Sequence, residues 1–328
     1  MARVLALSPG GIGDQVLFFP TLAGLKAWRA DLEIDVLVEP RSLGAYALCP
    51  SVQRTTAFNF KGNPSLAEWV DLIGSIRERN YDAILSLGRS PGVAFLLWLT
   101  GIRMRVGYGG TPLANTLLTH PVPLRQDQYA AAMYHDLLKG FGIDKPCPLP
   151  QIRLRPADLV WCEELFRLKG LNPQRLILLH PGASQLARQK GIAKVYPVQK
   201  WGAVLSELLQ KMPQQQLAVA SGPDDQELVQ ALQRQVGDAA VFLSPPDVGK
   251  LAALISHTAM LLCVDSAPMH LAVATGRPLV ALFGPTDPQR LVPPDPRFVA
   301  LKNSFVENIS PQQVVQAVMQ PFSTAAVN

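Results

Sequence analysis

Apolar and polar positions along this chain alternate on two length scales. Short apolar runs recur at Val4–Leu7, Leu176–Leu179, Leu217–Ala220, Met260–Val264 and Leu279–Phe283, the pattern of strands buried on both faces. Between them lie longer stretches whose apolar residues return every three or four positions, as on one face of a helix. Such alternation predicts βα units and parallel sheets. In the first half, strands are expected near residues 3–7, 34–38, 82–87 and 103–107, with helices near 15–29, 65–78 and 129–141. From Gly142 to Pro156 the periodicity stops, and Pro146, Pro148, Pro150 and Pro156 predict an interdomain linker. The pattern restarts with strands near 176–179, 217–220, 260–264 and 279–283. Helices are expected from about Pro197, up to about Val236, and over Pro311–Gln320.

The turns after these strands hold the candidate chemistry, because the carboxyl ends of parallel strands share the edge where ligands bind. Ser8-Pro9-Gly10-Gly11-Ile12-Gly13-Asp14 separates the first strand from a helix. Its glycines permit a sharp turn and close approach, and the helix start offers unpaired N–H groups and a positive dipole end. The dinucleotide fingerprint GxGxxG is absent, and Asp14 can equally be a helix cap. His180-Pro181-Gly182-Ala183-Ser184 precedes a loop with Arg188, Lys190 and Lys194. A hydroxyl on a glycine turn beside a lysine suits a diphosphate, while a solvated surface loop reads as well. Asp265-Ser266-Ala267-Pro268-Met269-His270 spans a strand-to-helix junction that could receive phosphate oxygens or simply cap the helix. His270, about one turn inside, reads first as a packed residue. Phe283-Gly284-Pro285-Thr286-Asp287-Pro288 reads as a rigid turn.

Composition narrows the class. Of 328 residues 48% are apolar and 17% charged, enough apolar material for two cores of about 150 residues each. The net charge of +5 is spread evenly, with 14 basic and 12 acidic side chains in residues 1–150 and 16 and 13 in the remainder. Without a basic run, a nucleic-acid partner is not expected, although an anionic substrate or an acidic membrane face suits the balance. Cys49, Cys147, Cys162 and Cys263 are scattered, as free thiols in a reducing compartment would be. The most apolar run, Val93–Leu99, is too short to cross a bilayer. The chain opens without the features of a signal peptide, so a cytoplasmic protein, at most peripheral to a membrane, is expected. Neither metal-ligand spacing nor a GxSxG nucleophile elbow occurs.

Taken in order, GGIGD, HPGAS…KxYP and Val264–Pro288 (VDSAPMHLAVATGRPLVALFGPTDP) resemble glycosyltransferase family 9, the heptosyltransferase family. The resemblance implies an α/β GT-B fold, two Rossmann-like domains with parallel sheets facing across a cleft. Residues 1–150 would bind the acceptor and 151–310 the nucleotide sugar, and a helix within 311–328 would cross back to the first domain. It implies an inverting, metal-independent transferase without cofactor. Such an enzyme moves a heptose-like sugar from a nucleotide-diphosphate donor, ADP-heptose being favoured, to a lipopolysaccharide-core or related envelope glycolipid. A GDP- or UDP-sugar donor for another glycan, or a non-catalytic nucleotide-sugar-binding protein, are the alternatives. No obligate protein partner is inferred, and peripheral contact would be at the inner face of the cytoplasmic membrane.

Carried over residue by residue, Asp14 would be the general base behind the loop of Gly10, Gly11 and Gly13. Lys194 would meet the donor phosphates, with Ser184 in the turn beside them. Asp265, Ser266, Ala267 and His270 would form the donor-binding junction, and Asp225 or Glu227 would hold the ribose. The chain departs from the family pattern at Ala267, where many relatives have Gly. It departs also at Tyr196, in place of the commoner Trp, and in a longer loop between Ser184 and Lys194. In the first half, Lys61, Arg103 and Arg105 are the cations that could meet phosphates on a glycolipid.

Overall fold

The computed structural model describes residues 2–183, 191 and 194–324. The chain separates into two compact units, Met1–Arg153 and Leu154–Asn328.

In the first unit the strands are β1 (Arg3–Ser8), β2 (Glu33–Val38), β3 (Arg54–Ala57), β4 (Ala83–Ser86), β5 (Met104–Tyr108) and β6 (His120–Val122). They form one sheet in the order β3-β2-β1-β4-β5-β6, every pairing parallel. The helices are α1 (Ile12–Trp28), α2 (Leu66–Glu78), α3 (Pro91–Leu99), α4 (Pro112–Leu117) and α5 (Ala130–His135). Central strands are buried along their whole apolar run, as in Val4–Leu7, because helices cover both faces of a parallel sheet. Leu5, Leu7, Ile84, Leu72, Ile76, Ala94 and Leu97 share one core cluster, so α2 and α3 cover the same face.

The second unit repeats the plan. Its elements are α6 (Pro156–Lys169), β7 (Leu176–His180), α7 (Val198–Lys211), β8 (Gln216–Ala220), α8 (Gln226–Val236) and β9 (Val241–Leu243). Then follow α9 (Val248–Ser256), β10 (Met260–Val264), α10 (Ala267–Ala274), β11 (Leu279–Phe283), β12 (Phe298–Lys302) and α11 (Pro311–Thr324). The sheet order is β12-β11-β10-β7-β8-β9, again parallel. The helix that the sequence suggests would return to the first half places Val314, Val315 and Val318 in the second unit's own core.

In both sheets the winding direction reverses beside the first strand, between β1 and β4 and between β7 and β10. Connections leave such a pair toward opposite sides, which opens a crevice at the carboxyl ends. Ser8 and Ser86 mark that point in the first unit, His180 and Val264 in the second.

Some elements depart from the sequence reading. The sequence reading does not contain the strands β3, β6, β9 and β12 or the helices α3, α4, α6 and α9. Pro156 does not belong to the linker, since it is the first residue of α6, where its missing N–H costs nothing and its fixed φ suits a helix. The helix expected at 129–141 is α5 followed by a 3-10 turn over Asp136–Phe141, closed by Gly142 at φ 74°.

Candidate functional site

At the carboxyl edge of the first sheet, Asp14 is the third residue of α1. Gly11 occupies the cap position, and its N–H donates to Asp14 Oδ2 at 2.8 Å. The second carboxylate oxygen, Oδ1, accepts from the hydroxyl of Tyr134 at 3.0 Å. Tyr134 is buried on α5 and meets the Phe18 ring edge-on. Burial and the neighbouring Asp14 charge hold the tyrosine pKa well above its usual value, so it stays a neutral donor. Asp14 itself is only half-buried. Each carboxylate oxygen accepts one of these bonds and can take a further proton or hydrogen bond.

The loop beneath is fixed from several sides. Ser42 Oγ donates to the Gly10 carbonyl at 2.8 Å, and Gln15 Nε2 donates to the carbonyls of Ser8 and Gly10 at 3.3 and 3.2 Å. Gln15 is held in turn by the Tyr46 hydroxyl at 2.6 Å. A Cβ at Gly10 would lie 2.4 Å from Asp14 Cβ and 2.5 Å from its Oδ2. Glycine is therefore required here by the close approach of the acid.

The second unit gathers its polar residues at the ends of β7, β10 and β11. Lys194 Nζ pairs with Asp265 Oδ2 at 2.6 Å, and Thr286 Oγ1 donates to the same oxygen at 2.6 Å. Asp265 is buried and Lys194 largely so, with 4% and 17% of their side chains exposed. Taking charges from water is compensated only where such partners are in place. Two anchors set the cluster. Tyr196, two residues beyond Lys194, is fully buried, donates to the Ile309 carbonyl at 2.8 Å and meets Trp201 edge-on. Lys302 donates to the carbonyls of Gly284 and Thr286, holding the turn that carries Thr286.

Ser266 caps α10 with extended backbone, and its Oγ turns back to the Val264 carbonyl at 3.1 Å. Ser266 and Ala267 are half-exposed, while Pro268 brings no N–H to the first turn. The backbone donors that this helix start can present are therefore those of Ser266 and Ala267. His270 is buried one turn in, as a packed residue would be.

The structure divides the two acids proposed for the ribose. Glu227 is exposed in the first turn of α8, whereas Asp225 is buried. Asp225 Oδ2 lies 3.6 Å from His180 Nε2, and its Oδ1 would be 1.8 Å from a Cβ at Gly182. Burial lowers the His180 pKa below its usual value, and the Asp225 charge opposes that shift without overcoming it. Ser184, Arg188 and Lys190 lie outside the described residues.

The cations suggested for an acceptor are not gathered around Asp14. Arg103 precedes β5 and Arg105 is its second residue, at the amino end of the strand and opposite to the edge that carries Asp14. Arg105 also spends its guanidinium on the carbonyls of Leu117, Ile102 and Arg103, at 2.8, 2.6 and 3.3 Å. It braces β5 against α4. Lys61 is exposed in the loop after β3, on the carboxyl edge. Two other exposed arginines lie nearer to Asp14. A Cβ at Gly11 would be 3.7 Å from Arg41 Nη2, and Arg89 acts electrostatically on Tyr134.

Sequence reasoning missed Tyr134, Thr286, Lys302 and these two arginines. For Thr286 a signal existed, since it ends the FGPT turn after a buried strand. Tyr134, 120 residues from Asp14, had none.

Comparison with known proteins agrees with the architecture. The model of glycosyltransferase family 9 (heptosyltransferase) matches residues 69–322. Lipopolysaccharide heptosyltransferase 3 of Escherichia coli is 26% identical over 291 residues, spanning 84% of this chain and 81% of that protein. A chloroplast protein of Arabidopsis thaliana, photosynthetic NDH subunit of subcomplex B 1, is 25% identical over 313 residues, spanning 89% of this chain and 66% of its own length. Among solved structures, E. coli ADP-heptose lps heptosyltransferase II superposes with a TM-score of 0.78 at 21% identity, covering 99% of both chains. That likeness shows the fold, which is GT-B. The family match covers well over half of the sequence, and so the chain belongs to glycosyltransferase family 9, the heptosyltransferase family, and is a glycosyltransferase.

Proposed function

We propose that this enzyme transfers a heptose-like sugar from an ADP-linked donor to an acceptor of the lipopolysaccharide core, with inversion and without a metal. The observation that carries the reading is the pairing of Lys194 with Asp265, whose same oxygen accepts from Thr286, at the switch point of the second sheet and beside the start of α10. Lys194 has three N–H donors, one of them directed to Asp265, which leaves others for diphosphate oxygens. The N–H groups of Ser266 and Ala267 add the positive end of a helix. Together they would stabilise the charge that gathers on the departing nucleoside diphosphate, the part a metal plays elsewhere. His180 and Asp225 support the neighbouring turn from below, and the exposed Glu227 is the better placed of the two acids to meet a ribose.

In the first unit Asp14 would take the proton of the acceptor hydroxyl as that oxygen attacks the anomeric carbon. General-base assistance of this kind contributes about 10²–10⁴-fold. ADP-heptose is favoured as donor by the name of the E. coli structure to which the fold is similar. A lipopolysaccharide acceptor is favoured by the E. coli heptosyltransferase relative.

A thermal-shift screen of ADP-, GDP- and UDP-sugars tests the donor, since a ligand that binds only the folded state raises its melting temperature. An ADP-sugar should give the largest shift, and a preference for GDP or UDP would overturn the donor assignment. Asp14→Asn should abolish transfer with donor binding unchanged, whereas a fully active variant removes Asp14 as the base. Turnover that survives chelation and an inverted anomer by NMR complete the test. The Arabidopsis relative, named as a subunit, favours a second reading, a nucleotide-sugar-binding protein without turnover. Product formation with both substrates present rules that reading out.

A further inference from the structure

The helix α3, Pro91–Leu99, reads Pro-Gly-Val-Ala-Phe-Leu-Leu-Trp-Leu and contains no polar side chain. Ala94, Leu96 and Leu97 point into the core of the first unit. A helix on a sheet ordinarily turns polar residues to water on its other side. Here the outer face carries Phe95 and Trp98, 47% and 48% exposed, their rings stacked with centroids 5.8 Å apart. The neighbouring α4 has no charged side chain and leaves Leu113 48% exposed. A contiguous apolar surface with a stacked aromatic pair at its centre marks a contact site.

Charge identifies what covers it. From Ala83 to Gln126 the chain contains four arginines and no aspartate or glutamate, although Arg105 is spent on carbonyls and Arg125 on Asp136. Arg103 is exposed just after α3, whereas Arg89, just before it, reaches toward Met133 on α5. Arg77 donates to the Leu99 carbonyl at the helix end, at 2.6 Å. A second copy of the chain docking through this face by a two-fold axis would set arginine against arginine. An anionic lipid surface complements both the rim and the centre. Tryptophan prefers the boundary between headgroups and hydrocarbon, and arginine gains from negative headgroups beside it. A nine-residue helix is too short to span a bilayer and suits one that lies in its surface.

We propose that the outer face of α3, centred on Phe95 and Trp98 and rimmed by Arg77 and Arg103, docks this protein on an anionic membrane surface. The proposal does not rest on the transferase reading, because it concerns adsorption without either substrate. It also gives Arg103 a role that its distance from the Asp14 edge denies it as an acceptor contact.

Co-sedimentation of the full chain with vesicles tests it. Vesicles of equal parts phosphatidylcholine and phosphatidylglycerol should bind the protein, more weakly as salt is raised, and phosphatidylcholine alone should bind it poorly. The variant Phe95→Ser/Trp98→Ser should weaken binding by about tenfold or more, the loss expected when two large apolar side chains leave a contact. Brominated phosphatidylglycerol should quench the native tryptophan emission. Trp98→Phe, which keeps an apolar ring and the fold, should remove that quenching. Absence of binding to the anionic vesicles, equal binding by the double variant, or quenching that persists in Trp98→Phe would each overturn the proposal. So would a dimer, seen by sedimentation equilibrium, that the same double substitution dissolves.

Discussion

Replacing Tyr134 by phenylalanine removes one hydroxyl and little else, because the ring still fills its place against Phe18. That hydroxyl is one of two donors that hold the Asp14 carboxylate, the other being the Gly11 N–H. A hydrogen bond to a charged acceptor contributes about 1.5–3 kcal/mol net. Asp14 is half-buried, so water replaces part of the loss, and about 1–2 kcal/mol of orientation is a reasonable share. If that energy keeps the carboxylate aimed at the acceptor hydroxyl, turnover should fall by about 5- to 30-fold, since 1.4 kcal/mol is one decade. Donor binding should not change, because the residues proposed for the donor all belong to the other unit. The assay is steady-state transfer with kcat and donor Kd measured separately, on a variant shown by its melting curve to be folded. Undiminished kcat refutes the reasoning, and so does a fall in donor affinity without a fall in kcat. A drop as deep as that of Asp14→Asn would mean that the tyrosine does more than orient its neighbour.

Three further outcomes follow from contacts already described. Gly182→Ala places a methyl 1.8 Å from Asp225 Oδ1 and should cost about 1–3 kcal/mol in urea unfolding, the usual penalty for overpacking; unchanged stability would show that Asp225 is free to move. Thr286→Val removes a donor from the buried Asp265 carboxylate and should lower stability by about 1–3 kcal/mol and weaken ADP-sugar binding, so a variant with native donor affinity separates Thr286 from the site. Burial lowers the pKa of both His135 and His180 from 6.5. The unfolded chain then binds more protons than the folded one below that value, so stability is full above it and is lost as pH falls. The melting temperature should decline between about pH 7 and about pH 5, and less steeply in His180→Asn; a flat profile contradicts the assignment.

What the sequence discloses differs between strands and site. Runs such as Met260–Val264 and Leu279–Phe283 announce themselves because both faces of a central parallel strand are buried. The outlying β3, Arg-Thr-Thr-Ala, and β6, His-Pro-Val, are short and partly solvated, so they carry no such run. The helix α3 escaped notice because an all-apolar stretch has no periodicity to detect. Of the site, Asp14, Lys194, Asp265 and Ser266 stood out as polar residues at the ends of strands or turns. Thr286 could be joined to Asp265 only through knowledge that β10 and β11 are neighbours. Charge alone also misplaced Arg103 and Arg105, which sit at the amino end of β5, away from the carboxyl edge where ligands bind.

In each unit the first strand leads into a turn with a glycine against which an aspartate leans: Gly10 beneath Asp14 and Gly182 beneath Asp225. Neither glycine can acquire even a methyl unless its aspartate shifts. The two members of each pair are therefore not free to drift independently. A relative with a bulky residue at position 10 should therefore also have replaced the aspartate at position 14 or turned it away from the loop.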